Sequence, residues 1–249
     1  MVKKMTKAVK IENFSYCYPD GTKALDNINL DIACNRKTVL IGPNGAGKST
    51  LLLAINGFLN GTGKVSIDGI EINKKNSKKI RSLVGCCLEN PDDQLFMPTL
   101  FEDVAFGLLN MGLATKEVRE RVENALNSVG LANMSDRAPH HLSAGQKRAA
   151  AIATVISMSP GIITFDEPDG NLDPRNRKIL TKILVGLSQT LVIATCNMSF
   201  AAAIADRAVL IDSGRVIAEG SAREIMSDAG LMETHGLEVP EFKDCLKTV

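Results

Sequence analysis

The chain has 249 residues, of which 45% are hydrophobic, enough for a sizeable buried core and too many for a disordered polymer. With 29 basic against 28 acidic residues its formal net charge is +1, so no global field draws it to nucleic acid or to a lipid surface, and nucleic acid is not an expected partner. The cysteines at positions 17, 34, 86, 87, 196 and 245 fall into no zinc spacing, and a chain of this size needs no disulfides, so reduced, cytosolic thiols are expected.

In chain order, residues 9–16 and 28–32 alternate like strands on either side of the Pro19-Asp20-Gly21 turn, and residues 65–72 read as a hairpin around Asp68-Gly69. Together they predict a small antiparallel β layer. Val39-Leu40-Ile41 is a short apolar run of the buried parallel type, and residues 49–58 read as the helix that follows it. Residues 101–110 and 116–129 carry helical apolar spacing and predict a helical insert, with Thr115 as N-cap of the second helix. Val118 stands where a capping box would need Glu or Gln, so only Glu117 adds favourable charge to that first turn. The longest apolar stretch, residues 149–158, falls far short of the ~20 residues a membrane span needs, and the lysine-bearing N-terminus lacks an apolar signal core. Residues 162–165, 191–195 and 208–211 are short aliphatic runs separated by helices, as in a parallel sheet. The expectation is one α/β unit over residues 1–249, with a helical subdomain over about 90–160 and a C-terminal extension over about 222–249, and without repeats or long linkers.

Chemistry enters at Gly42-Pro43-Asn44-Gly45-Ala46-Gly47-Lys48-Ser49-Thr50. Its glycines let the backbone turn so that successive N–H groups face phosphate oxygens, and the helix after it adds its positive dipole end. Lys48 can then neutralise the β and γ phosphates of a nucleoside triphosphate, while the Ser49 hydroxyl can ligate Mg²⁺. A second element, Ile162-Ile163-Thr164-Phe165-Asp166-Glu167-Pro168, is an apolar strand that ends in two carboxylates. Alone, such a pair is more often a helix cap or a solvated turn. With a phosphate loop upstream, Asp166 is placed to hold Mg²⁺ and Glu167 to orient or deprotonate an attacking water.

The phosphate loop, then Leu142-Ser143-Ala144-Gly145-Gln146, Asp166-Glu167-Pro168 and Asn171-Leu172-Asp173 come in one order over nearly the whole chain that resembles the ATPase subunits of ABC transporters. Asn90-Pro91-Asp92-Asp93-Gln94-Leu95-Phe96, Glu102 to Gly107 and Gly236-Leu237-Glu238-Val239-Pro240 resemble, more narrowly, energy-coupling-factor and cobalt/nickel-type importers. The resemblance implies a P-loop NTPase fold with an antiparallel β subdomain and a helical insert. It implies ATP and Mg²⁺ as ligands, with Gly42, Asn44, Gly45, Ala46, Gly47, Lys48, Ser49 and Thr50 around the nucleotide. It also implies a head-to-tail homo- or heterodimer in which Ser143, Ala144, Gly145, Gln146 and Asp173 act on the partner's nucleotide. Ser143 is equally an N-cap for the apolar helix after it, and the two roles are compatible because a helix start binds anions. Tyr18 stands where the family stacks an aromatic under adenine, although packing beside a turn explains it nearly as well. Residues 89–104 would form a groove for a short helix of an integral membrane partner, with Leu95, Phe96, Met97 and Leu100 either lining it or buried in the core. The protein would then sit peripherally on the cytoplasmic face of the membrane.

The chain departs from that pattern at named positions. Glu89 replaces a glutamine beside the metal, so an acceptor-only carboxylate stands where an amide both donates and accepts. Cys196 replaces a switch histidine, Ala144 the first signature glycine, and Ala149 an arginine whose loss is expected to remove a fixed charge near the signature helix. Asn35 replaces a turn glycine, a mild change because asparagine tolerates the left-handed region. None of His140, His141 and His235 lies where it could stand in for the switch residue. Two readings follow: a transport ATPase that powers import of a metal ion or vitamin, or an ATP-gated module with impaired turnover paired with a more competent subunit. A soluble ABC protein of DNA repair or translation is a weaker third, since those carry coiled-coil insertions or tandem cassettes for which this chain has no room.

Overall fold

The computed structural model describes residues 7–242, so the last seven residues of the expected C-terminal extension, including Cys245, lie outside the described residues, as do the first six. An antiparallel hairpin opens them, β1 (Lys7–Cys17) with β2 (Lys23–Ala33), closed by the Tyr18–Thr22 turn in which Gly21 takes φ +90°. Only residues 28–32 of β2 are legible in sequence, because Asp26 and Asn27, two polar residues in succession, break the apolar alternation between Leu25 and Ile28, Asn27 with φ +52°. β4 (Thr62–Ile67) and β5 (Ile70–Glu71) form the hairpin expected around Asp68-Gly69 and complete a four-stranded sheet of order β2-β1-β4-β5.

The second sheet has six strands. β3 (Lys37–Ile41) lies between β8 (Thr190–Ala194) and β9 (Arg207–Asp212); β7 (Ile162–Asp166) and β6 (Val84–Cys87) follow on the β8 side, all parallel, and β10 (Arg215–Ser221) closes the other edge antiparallel. Successive side chains of a strand point to opposite faces. Leu40, Val192, Ala194, Val209 and Ile211 therefore pack towards the four-stranded sheet and α1 (Lys48–Ile55), which contributes Leu51, Leu52 and Ile55. Val39, Ile41, Ile163, Phe165, Leu191, Ile193 and Leu210 face the other way, into a core shared with α3 (Leu100–Asn110), α4 (Thr115–Ser128), α5 (Ala144–Ile156), α6 (Pro174–Gly186) and α7 (Met198–Ile204). Three short α-helices complete the α-helices of the described residues: α2 (Ser77–Leu83) before β6, and α8 (Ala222–Met226) and α9 (Ala229–Thr234) after β10.

Helix starts follow local chemistry. Thr99 with Glu102 and Ser143 with Gln146 each make a reciprocal capping box at the head of α3 and α5. The expected cap on α4 is corrected: Ala114 occupies the N-cap with no side-chain bond, and Thr115 is already the first helical residue. Glu117 in that first turn pairs with Arg121 one turn on, at 2.7 Å. Residues 89–104 divide: Leu95 and Leu100 are buried, whereas Phe96 is 62% exposed and stacks edge-on against Phe106 at 5.1 Å. No helix among the described residues is long and apolar enough to cross a membrane.

Candidate active site

Because β3, β6, β7 and β8 run parallel, the loops that leave their carboxyl ends gather along one edge, where open α/β sheets present their functional groups. β3 delivers the glycine loop. Gly42 has φ +149° and a Cβ there would lie 1.9 Å from the Ile211 carbonyl oxygen; at Gly47, φ +103°, it would lie 2.6 Å from that of Ala24. The loop is thus clamped between β9 and β2, and no side chain could replace hydrogen at either place. α1 starts on Gly47 without a side-chain cap, so its first amides are left to an anion. Lys48 is 5% exposed, and its ammonium donates to the carbonyls of Gly42 at 2.8 Å and Pro43 at 3.0 Å, with the Cys196 sulfur at 3.2 Å.

β7 delivers the carboxylates. The Ser49 hydroxyl donates to Asp166 Oδ1 at 2.9 Å. Burial holds the Asp166 carboxyl above the usual carboxylate range, Glu167 and Glu89 push it further the same way, and the Ser49 hydrogen bond opposes them. Among the described residues no three His, Cys, Asp or Glu side chains converge to hold a metal by themselves. What exists is a hydroxyl and a carboxylate at hydrogen-bond distance beside an anion cradle, the donor set of a hard cation that completes its shell with phosphate and water, and Mg²⁺ fits it. Glu167 sits in the left-handed region at φ +41°, an unusual place for a non-glycine residue.

β8 delivers Cys196, and the structure joins it to Glu167. The carboxylate accepts from the Cys196 backbone N–H at 3.0 Å, and the thiol sulfur lies 3.0 Å from Glu167 Oε1 and 2.9 Å from Asn44 Oδ1. Burial and the Glu167 carboxylate raise the thiol's pKa, so it remains an S–H donor with one proton for two acceptors. Thr195, just before it, donates to the buried Asp169 at 2.9 Å. Tyr18 reaches the first turn of α1 through a 3.1 Å contact with Thr50 Oγ1, and its ring meets Tyr16 edge-on.

Ser143, Ala144, Gly145 and Gln146 form the first turn of α5 with its cap. A Cβ on Gly145 would strike the Asn176 side chain at 2.5 Å; Asn176 is held by Asp173, the N-cap of α6, through its backbone and side-chain nitrogens at 2.8 and 2.9 Å. The glycine therefore has a packing role in its own chain, and Asp173 abuts the same corner. The expectation for Ala149 is corrected. Ala149 is buried in the core, and the fixed charge is carried one position earlier by Arg148, itself 5% exposed, whose guanidinium donates to the carbonyls of Leu88 at 2.9 Å and Glu89 at 2.6 Å. Sequence reasoning missed Arg148 and two further braces. Gln94 donates to Ala151 O and Thr154 Oγ1, both at 2.8 Å, and Asp103 accepts from the backbone N–H groups of Phe96 and Met97, both at 3.0 Å. The signal for Arg148 was present: a charged side chain flanked on one side by a run of alanines that pack inward. His140 and His141 lie in the turn before α5, and His235 is paired with Asp212 at 2.7 Å, so none approaches Cys196.

Residues 25–170 match the ABC transporter family model. Over 240 residues, 95% of this chain and 88% of the relative, the sequence is 46% identical to the energy-coupling factor transporter ATP-binding protein EcfA of Carboxydothermus hydrogenoformans. It is 44% identical to EcfA of Methanothermobacter thermautotrophicus, over 96% of this chain and 78% of that one. Among solved structures, cbiO1 from Clostridium perfringens, described as part of the ABC transporter complex cbiONQ, superposes with a TM-score of 0.83 at 36% identity, covering 92% of this chain and 94% of its own. The cassette MJ0796, solved as a dimer in a post-hydrolysis state with ADP and Pi, superposes with a TM-score of 0.78 at 28% identity, covering 86% and 99%. A glycine cradle with its lysine and an acidic strand end on one sheet edge, together with a capped signature helix, agree with these likenesses, and the chain belongs to the ABC transporter ATP-binding family, as an energy-coupling-factor type of P-loop ATPase.

Proposed function

We propose that the protein is the ATP-hydrolysing subunit of an importer that moves a metal ion or vitamin through a separate integral membrane component, from a peripheral position on the cytoplasmic face. The observation that carries this reading is the meeting of Ser49 with Asp166 at 2.9 Å beside the buried Lys48 and next to Glu167. In it, the Gly42–Thr50 backbone and Lys48 bind the triphosphate, Tyr18 packs against the base, and Ser49 and Asp166, with Glu89 close by, hold Mg²⁺. The cation, when bound, offsets charge on the β and γ oxygens. Glu167, fixed by the Cys196 N–H, orients or deprotonates the attacking water. Ser143, Ala144, Gly145, Gln146 and Asp173 are offered at one corner to a second cassette's nucleotide, a homo- or heterodimer that the dimeric state of MJ0796 supports. The exposed Phe96 and Phe106 supply an apolar surface for a short helix of the membrane component.

Two observations favour the second reading, an ATP-gated module with impaired turnover: a thiol stands against Glu167 where the family pattern has an imidazole, and Glu89 adds negative charge beside Asp166. The binding half of both readings is tested by Lys48→Ala, which removes the nearest fixed counter-charge of the β and γ phosphates. Titration with a fluorescent ATP analogue is expected to lose most of its binding; unchanged affinity would overturn the assignment of the loop. Phosphate release by the unaltered protein, alone and with any cassette encoded beside it, then separates turnover from gating.

A further inference from the structure

Arg148 lies in the second turn of α5, and a guanidinium at 5% exposure is costly to desolvate, so its partners identify what it is for. Its two terminal nitrogens fork onto consecutive carbonyls, Leu88 and Glu89, in the chain that leaves β6. Burial pulls the guanidinium below its ordinary pKa, while Cys87, Asp169 and Glu89 oppose that shift. Asp169 in turn accepts from Thr195, the neighbour of Cys196. The segment that follows Glu89 is also laid along α5: Leu88 N–H donates to Gln94 Oε1 at 3.1 Å, Gln94 donates to Ala151 and Thr154, and Lys147 pairs with Asp92 at 2.6 Å. Gln94 thus also holds the Leu88 N–H and Lys147 grips Asp92 further on, but among the described residues Arg148 alone grips the carbonyl of Glu89 itself.

We propose that Arg148 is a positioning residue: its fork ties Glu89 to the signature helix, so that seating of Ser143 and Gly145 on a partner's nucleotide sets where Glu89 stands at the chain's own metal site. The proposal rests on the sandwiched-dimer reading above. A helix turn is stiff, so a displacement at the head of α5 is carried to Arg148, and a forked pair of hydrogen bonds passes it to the backbone of residues 88–89. Lysine keeps the charge but has no fork, and methionine keeps the bulk and neither.

Arg148→Met is expected to leave the ATP affinity of the monomer within about twofold, since Arg148 touches no part of the phosphate loop. It is expected to lower kcat about tenfold, within the span that coupling between two sites commonly covers, and to bring the ATP dependence of the rate towards a Hill coefficient of one. Arg148→Lys falls between. Hydrogen exchange supplies the readout independent of turnover, measured with Mg·ATP in a Glu167→Gln background. With Arg148 present, closure is expected to slow exchange at residues 142–148 and at Glu89 together; with Arg148→Met, at 142–148 but not at Glu89, while Leu88, whose N–H Gln94 holds, serves as the control. Slowing at Glu89 that survives the substitution, or an unchanged kcat, overturns the proposal while the dimer stands. No response at 142–148 with Arg148 intact overturns the dimer reading and the proposal with it. Gln94 and Lys147 keep the segment docked in the variant, and should Arg148→Met fail to fold, Arg148→Lys with the same exchange measurement decides the matter.

Discussion

The thiol of Cys196 has one proton to offer and two oxygen acceptors, Asn44 and Glu167, within 3.0 Å. A positioned donor at a developing oxyanion is worth roughly 10²–10³ in rate, and a thiol is a weak one. Cys196→His is therefore expected to raise steady-state phosphate release at least tenfold, measured alone and mixed with any cassette encoded beside it; a robust rate in the unaltered protein with no gain in the variant removes the impaired-turnover reading. Asp166 gives a second expectation. Its folded-state pKa lies above its unfolded value, so its favourable contribution is complete below about pH 4 and is lost as pH rises through the folded value. At neutral pH the carboxylate works against the nucleotide-free fold. Asp166→Asn is expected to raise the thermal midpoint by about 2–4 °C without ligand and to lose the further rise that Mg·ATP gives the unaltered protein, both read in melts at neutral pH. An unchanged or lower ligand-free midpoint would count against burial as the cause of the shift.

At the level of elements, what could be read ahead of the structure had strong local chemistry. The glycine loop, the strand ending in Asp166-Glu167 and the Ser143 cap are each fixed by a few residues whose types admit little else. β6 was illegible because Val84-Gly85-Cys86-Cys87 is too small and mixed to look like a strand, yet its glycine is required: a Cβ on Gly85 would lie 2.3 Å from Val155 Cγ1 of α5. β10 was missed for the opposite reason, since an edge strand half exposed along its length has no clean apolar face. Ala114 as a silent cap shows tertiary contacts of Val118, Val122 and Leu126 overriding capping preference, because the buried stripe decides where α4 begins. The site was legible in its parts and illegible in its wiring. Nothing in spacing tells that Arg148 reaches back across the fold to Leu88 and Glu89, or that Asp169 meets Thr195, because those contacts exist only once β6, β7 and β8 lie side by side.

For the molecule as a whole, the proposed cycle closes two cassettes on ATP and reopens them after hydrolysis. Glu167→Gln keeps the side chain's shape and its bond from the Cys196 N–H but loses proton affinity, so hydrolysis is expected to slow far more than binding. The variant should sediment as a dimer with ATP; one that stays monomeric with undiminished phosphate release would count against Glu167 as the catalytic carboxylate. Phe96 and Phe106, packed edge to face on the surface at 62% and 41% exposure, with Leu109 at 57% exposure one turn on from Phe106 in α3, bear on how such a subunit lives in a cell. A copy made in excess of its membrane component presents the kind of oily surface that chaperones and proteases treat as unfinished work. Its half-life is then expected to lengthen when a membrane component that binds it is expressed with it and to be insensitive to that component after Phe96→Ser and Phe106→Ser, so that supply of the scaffold, rather than transcription of the ATPase, sets how many engines the cell keeps.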